Sequence, residues 1–273
     1  MKTALVLEGG GLRGVFTAGA VDYFIDKGIE FDYVCGVSAG ACNTFEYIGK
    51  EKGFMRKCIL ENEGDPFYGV GEFIETKHFV NLDKVFNDYA DKFGYDFDRF
   101  LSSSTRWEMV VSNMQTGQAE YMHSDDLDRV KLIGKASCSL PLLTSPAEID
   151  GQHYMDGGIT DSIPLQHALD LGYDRIVVVL TRKKGNYSIV SKPTLAMMKQ
   201  VYEEYPNFIE ASARRTQMYH EEVDLCEKLE EEGKVLLIRP TMQEVGRLES
   251  NKDELSLSYY HGYTKAREMM KKW

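Results

Sequence analysis

Cysteine is scarce and unpaired in this chain. Cys35, Cys42, Cys58, Cys138 and Cys226 are scattered, odd in number and never in a C-x-x-C arrangement. That pattern gives no disulfide framework and no zinc site, and it fits a reducing compartment. Basic charge is in deficit: 32 Lys and Arg stand against 43 Asp and Glu, a net charge of −11 with a pI near 5.1. A nucleic-acid binder normally carries a basic footprint, so the balance argues against that class. It also argues against strong attraction to anionic membrane, though not against capture of single lipid molecules. Long apolar runs are missing too. The N-terminal run stops at Glu8, too early for a signal peptide, and the apolar stretch Ile176–Leu180 has the length of a strand rather than a bilayer span. There is no internal repeat and no low-complexity linker. With 43% hydrophobic and 27% charged residues, the expectation is one globular cytoplasmic domain over residues 1–273 with ample material for a core.

What is present is an abrupt turn at Tyr33-Val34-Cys35-Gly36-Val37-Ser38-Ala39-Gly40. An apolar run ends in Gly-x-Ser-x-Gly, and a small-residue helix from Ala39 to about Ile48 follows. A strand turning sharply into a helix strains the residue between them. Gly36 and Gly40 remove the side chains that would collide, so Ser38 stands exposed at the sheet top with a helix N-terminus behind it. That terminus offers unpaired N–H groups and partial positive charge where an oxyanion would develop. Ser38 is therefore the candidate nucleophile.

Earlier in the chain, Thr3–Leu7 reads as a fully buried strand because it does not alternate. It runs into Gly9-Gly10-Gly11-Leu12-Arg13-Gly14 and an amphipathic helix closed by Lys27-Gly28. Strand, glycine loop and helix start make an anion cradle. Gly9, Gly11 and Gly14 also satisfy G-x-G-x-x-G, which raises an NAD(P)-dependent oxidoreductase as the alternative. A dinucleotide site needs an acid at the carboxyl end of the second strand. Glu30 and Asp32 precede that strand, and Ser38 holds the place where the acid belongs.

Three motifs occur in order: Gly9-Gly10-Gly11-Leu12-Arg13-Gly14, Gly36-Val37-Ser38-Ala39-Gly40 and Asp156-Gly157-Gly158. With these motifs, and with Ala136-Ser137-Cys138-Ser139-Leu140-Pro141 ahead of the third, the chain resembles the patatin-like phospholipase family over about residues 2–182. The resemblance implies an α/β fold of three α/β/α layers around a mostly parallel central sheet. It implies a serine acyl hydrolase acting on lipid or other carboxylic esters, as a phospholipase A, lysophospholipase or esterase, through a Ser38–Asp156 dyad and an acyl-enzyme. The oxyanion loop would be Gly9, Gly10, Gly11, Leu12, Arg13 and Gly14, with the amides of Gly10 and Gly11 as donors and Leu12 as a third candidate. Gly157 and Gly158 would form the turn carrying the base. Arg13 would orient a phosphate or hold the loop, or else be a plain carboxylate-pairing arginine. No metal and no cofactor are expected. The expected partner is a lipid or ester substrate, with transient membrane-surface contact and no obligate protein partner. A non-catalytic lipid-binding member is a further alternative, against which the presence of both Ser38 and Asp156 speaks.

The remaining segments give coarser expectations. Lys50–Lys92 is charged, helix-like and aromatic-rich, its rings either packed on the sheet or walling an acyl pocket. Trp107–Asn113 and Gln118–His123 form a hairpin, a helix runs from Asp125 to about Ser137, and Ala147–Asp156 holds an Asp-Gly hairpin. Pro164–Gly172 is a helix and Asp174–Arg182 a buried parallel strand. Residues 183–273 are read as a helical extension with one strand, Lys234–Pro240, packed on the core. Within it Met197, Met198, Val201 and Tyr202 share core spacing on one helix. Of the six histidines, His167 is the most credible third member of a triad, but its helical surroundings favour a structural role.

Overall fold

Alternate residues of the central strands face two separate cores. In β1 (Thr3–Leu7), Leu5 and Leu7 enter one and Ala4 and Val6 the other. In β7 (Arg175–Val179), Val177 and Val179 separate from Ile176 and Val178 in the same way. Strands buried on both faces carry apolar residues at every position, which is why these runs do not alternate in sequence. The computed structural model describes residues 2–62, 64, 66–76, 80–187 and 190–273.

Chain order continues from β1 through α1 (Gly14–Asp26), β2 (Tyr33–Val37), α2 (Ala39–Gly49), α3 (Phe54–Leu60), α4 (Val70–Thr76), α5 (Tyr89–Phe93) and α6 (Phe97–Leu101). Then come β3 (Arg106–Asn113), β4 (Ala119–Met122), α7 (Leu127–Cys138), β5 (Ala147–Ile149), β6 (Gln152–Asp156) and α8 (Leu165–Asp170). After β7 follow α9 (Lys192–Val201), α10 (Pro206–Glu231), β8 (Val235–Ile238) and α11 (Lys252–Met269). The first core is covered by α1, α2, α7 and α11, the second by α8 and α10. The result is the expected three-layer α/β/α arrangement. No helix among the described residues is long and apolar enough to cross a membrane.

By pairing, the sheet runs β5-β6-β3-β2-β1-β7-β8, with β4 also on β3. The pairs β3–β2, β2–β1, β1–β7 and β7–β8 are parallel; β4, β5 and β6 pair antiparallel. The register around β3 positions the site. Val110 pairs with Val37 of β2 and Tyr121 of β4, while Val111 pairs with Asp156 of β6 and Glu120 of β4. A strand has two edges, so β2 and β6 share one edge of β3, end to end. Their carboxyl ends meet there, bringing Ser38 and Asp156 together from positions far apart in sequence.

Two expectations change in the structure, and a third divides between its alternatives. The helix α1 is not amphipathic: Gly14–Phe24 are all buried, because α11 closes over its outer side. An ideal Cβ on Gly19 would lie 1.9 Å from the Tyr259 carbonyl oxygen, and one on Gly262 would lie 1.9 Å from that of Phe16. The two helices thus cross backbone to backbone, each glycine admitting the other helix. On α9, Met198 and Tyr202 are buried, but Met197 and Val201 are exposed. In the aromatic segment, Phe54, Phe86, Tyr89, Tyr95 and Phe100 join the first core, whereas Phe67 and Tyr68 wall a cavity. Phe79 and His78 lie outside the described residues.

Candidate active site

The chain passes from β2 to α2 through Ser38 at φ 54° and ψ −119°, a backbone region costly for any residue with a side chain. The neighbours enforce it. A Cβ on Gly36 would approach Thr44 Oγ1 to 2.3 Å, and one on Gly40 would approach the Leu7 carbonyl oxygen to 2.2 Å. Larger residues cannot stand at either position while the turn keeps its shape. Two bonds from α7 fix the elbow from the other side. The Ser38 N–H donates to Ser137 Oγ at 2.9 Å, and Cys138 Sγ donates to the Ser38 carbonyl at 3.2 Å.

The same segment holds the aspartate. The Asp156 N–H donates to the Ser139 carbonyl at 2.8 Å, and Ser112 Oγ donates to the Asp156 carbonyl at 2.8 Å. Ala136–Pro141 therefore clamps both halves of the site, a physical reason for that motif. Gly157 lets the turn pass close to β3, since a Cβ there would stand 2.2 Å from the Val110 carbonyl oxygen. The Gly158 N–H donates to Asp156 Oδ1 at 2.8 Å. Asp156 Oδ2 is buried and makes no hydrogen bond of normal geometry among the described residues. Burial pushes the carboxyl above the ordinary aspartate value; the Ser38 hydroxyl, Arg215, the Gly158 N–H and Arg247 pull it partway back. Ser38 thus lies near enough to influence Asp156, in a resting geometry looser than a formed hydrogen bond.

The glycine loop divides into donors and frame. The Leu12 N–H donates to the Arg247 carbonyl at 3.0 Å, that of Arg13 to the Gly10 carbonyl, and that of Gly14 to carbonyls of the loop itself. These three amides are occupied, so Leu12 is not the third oxyanion donor. Gly9, Gly10 and Gly11 donate to nothing among the described residues. Gly11 sits at φ +58° with Arg247 against it, where a Cβ would be 2.7 Å from the Arg247 carbonyl oxygen. Gly10 is extended at φ 175°.

Ser38, Asp156, Gly9, Gly10 and Gly11 line one cavity of about 360 Å³. It shares Gly11, Ser38, Leu140 and Arg247 with a second, apolar cavity of about 660 Å³, walled by Met55, Ile59, Phe67, Val80, Leu82 and Val85. Sequence reasoning missed three further residues in the first cavity, Arg182, Arg215 and Arg247: Arg182 opens a basic run at a strand end, Arg215 follows Arg214 on a helix, and none carries a local signal of a site. No histidine among the described residues lines it. His167 Nε2 lies 2.7 Å from Glu108 Oε2, and its ring stacks on Tyr121 at 3.5 Å. Asp32 sits at the amino end of β2, accepting from Thr3 N at 2.7 Å, and Glu30 pairs with Lys50. Neither acid is where a dinucleotide ribose would need it.

A strained serine turn and an aspartate turn, meeting where the carboxyl ends of β2 and β6 converge on β3, define a serine-centred α/β site. A family model described as patatin-like phospholipase matches residues 5–169, and the chain belongs to that family. Residues 205–273 match a second model, described as a domain of unknown function (DUF6363). The uncharacterized protein YjjU of Escherichia coli K12 is 31% identical over 186 residues, covering 66% of this chain and 52% of its own. Lysophospholipase nte1 of Emericella nidulans is 26% identical, covering 98% of this chain and 18% of its own. The chain thus spans about half the length of the first relative and under a fifth of the second. VipD from Legionella pneumophila shares the fold, with a TM-score of 0.55 at 15% identity over 99% of this chain and 67% of that one.

Proposed function

We propose that the protein is a lipid acyl hydrolase working through a Ser38–Asp156 dyad. The observation that carries this reading is the junction at Ser38 of an apolar cavity and a polar one lined by unoccupied backbone amides. The acyl chain occupies the apolar cavity. Ser38 Oγ attacks the ester carbonyl while its proton passes to Asp156. The amides of Gly10 and Gly11 hold the oxyanion, a donor type typically worth about 10²–10³ in rate. Collapse expels the alcohol, which takes the proton from Asp156, and leaves an acyl-serine. Asp156 then deprotonates a water that attacks the acyl carbonyl, and the acid departs as Ser38 is reprotonated. A carboxylate is a weak base for a hydroxyl, and burial of Asp156 raises its basicity. Residues 183–273 form one working unit with the rest, because α10 and α11 complete the two cores and the segment supplies Arg215 and Arg247 to the cavity. Membership of the lysophospholipase-containing family supports a lipid ester as substrate.

An active-site fluorophosphonate is the direct test. Labelling is expected on Ser38 alone, together with hydrolysis of long-chain p-nitrophenyl esters; absence of both at full folding removes the reading. The pH profile gives a second expected result. The base must be ionised, so kcat/KM falls as pH drops through the Asp156 pKa. That limb should lie above the unperturbed carboxylate value of about 3.9. Arg247 lowers this pKa, so Arg247→Gln should move the limb to higher pH. A limb unmoved by Arg247→Gln would mean that another group is the base.

A further inference from the structure

We propose that Arg13, Arg182, Arg215 and Arg247 form a phosphomonoester subsite beside Ser38, and that the substrate is an acyl ester whose head group ends in a phosphate dianion. This rests on the hydrolase reading above.

The four arginines come from distant parts of the chain. Arg13 precedes α1, Arg182 follows β7, Arg215 lies on α10, and Arg247 lies in the turn before α11. All four line the same cavity as Ser38, Gly10 and Gly11. Arg182, Arg215 and Arg247 also line an adjoining space of about 980 Å³ with Asp156 and Leu140. Two carboxylates share the first cavity wall, and both are already engaged. Glu8 accepts from the Tyr219 hydroxyl at 2.7 Å and from the Thr181 N–H, and Asp156 Oδ1 accepts from Gly158. Among the described residues, Arg13, Arg182 and Arg247 enter no ion pair. Arg13 is only 7% exposed and its Nε has no partner. Burial, with Arg182 and Arg247 nearby, pulls the Arg13 pKa down to about 10.

A chain of net charge −11 has thus gathered uncompensated positive charge at the floor of one concave site. Buried guanidinium groups are ordinarily paired. The missing partner is an anion, and its shape follows from the donors. One guanidinium satisfies a carboxylate through two parallel bonds. Four guanidiniums from separate elements suit a tetrahedral group with three free oxygens. A phosphomonoester offers those three oxygens, where a choline-capped phosphodiester has one of them blocked. The subsite adjoins the apolar cavity at Ser38, so chain and phosphate can flank one scissile ester.

Two measurements test it. Calorimetry on Ser38→Ala should detect sn-glycerol 3-phosphate and not glycerol, with binding weakened about tenfold or more by Arg182→Gln and recovered in part by Arg182→Lys. With the unmodified enzyme, kcat/KM for 1-acylglycerol 3-phosphate should exceed that for the 1-acylglycerol of the same chain by about tenfold or more. Arg182→Gln should collapse that ratio, and Arg247→Gln provides a second variant if the first does not fold. Hydrolysis without discrimination, or a choline phosphodiester equal to the phosphomonoester, overturns the subsite and leaves the hydrolase standing. Inorganic phosphate binding as tightly as glycerol 3-phosphate would assign the cavity to a free anion and overturn the head-group assignment. Glycerol 3-phosphate binding with no hydrolysis and no Ser38 labelling would instead remove the hydrolase reading.

Discussion

Asp156→Asn is expected to abolish turnover, by about 10³-fold or more, and at the same time to raise the melting temperature at pH 7. The second half follows from burial. The folded pKa of Asp156 is raised above its ordinary value. Its contribution to stability is therefore fully present below the unfolded pKa and is lost as pH rises through the folded pKa. At neutral pH the ionised, desolvated carboxylate opposes folding. Asparagine keeps an oxygen for the Gly158 N–H and removes the charge. The difference in melting temperature between variant and parent should thus grow from pH 4 to pH 7. Ser38→Gly should likewise be inactive and more stable, because glycine adopts φ 54° without strain. Scanning calorimetry alongside ester turnover checks both; an inactive Asp156→Asn that melts lower across the whole range would contradict a site held against its own electrostatics.

Gly262→Ala should be the most destabilising single-methyl change in the molecule. The added Cβ would overlap the Phe16 carbonyl oxygen, backbone against backbone, so no rotamer change relieves it. Helices α1 and α11 would have to separate, at a cost of about 3 kcal/mol or more and a fall in melting temperature of roughly 5–10 °C. Gly19→Ala meets the mirror-image contact with Tyr259 and should behave alike. Gly71→Ala is the internal control. It lies in α4 with nothing within 4 Å of its Cβ position, so alanine's better helix propensity should add roughly 0.5–1 kcal/mol. Equal melting points for Gly262→Ala and Gly71→Ala would show that the helix crossing is softer than its geometry.

The parts of this architecture legible in the sequence were those where local chemistry and global role coincide. Unbroken apolar runs marked β1, β2 and β7 because those strands are covered on both faces. The Gly36–Gly40 turn announced itself because the crowding at Gly36 is against near neighbours, Thr44 and the Gly40 carbonyl, although that at Gly40 is against the distant Leu7 carbonyl. Asp156 was legible through its following glycines, of which Gly157 must pass close against Val110 of β3. What could not be read was whatever tertiary placement alone decides. Arg215 and Arg247 sit in polar stretches typical of solvated surface, Arg182 heads a basic run just past a buried strand, and only the fold brings the three to one cavity. The burial of α1 on its outer side depends on α11, far along the chain. Its one trace was a pair of isolated helical glycines, Gly19 and Gly262, whose cost to a helix usually signals close packing. The engagement of the Leu12 amide is hidden for the same reason, since its acceptor is a carbonyl far along the chain.

That Leu12–Arg247 bond sets a timetable for synthesis. The glycine loop and the Ser38 turn leave the ribosome well before Arg247 and α11. At about 5–20 residues per second, on the order of 10–40 s separates the two. Throughout that interval the Leu12 amide lacks its acceptor, the outer side of α1 is bare at Gly19, and the cavity beside Ser38 lacks both Arg215 and Arg247. Over that interval a nascent chain carries Ser38 without the finished centre around it. The cavity beside Ser38 is closed only when the segment carrying Arg247 docks on the glycine loop, rather than taking shape gradually as the polypeptide lengthens.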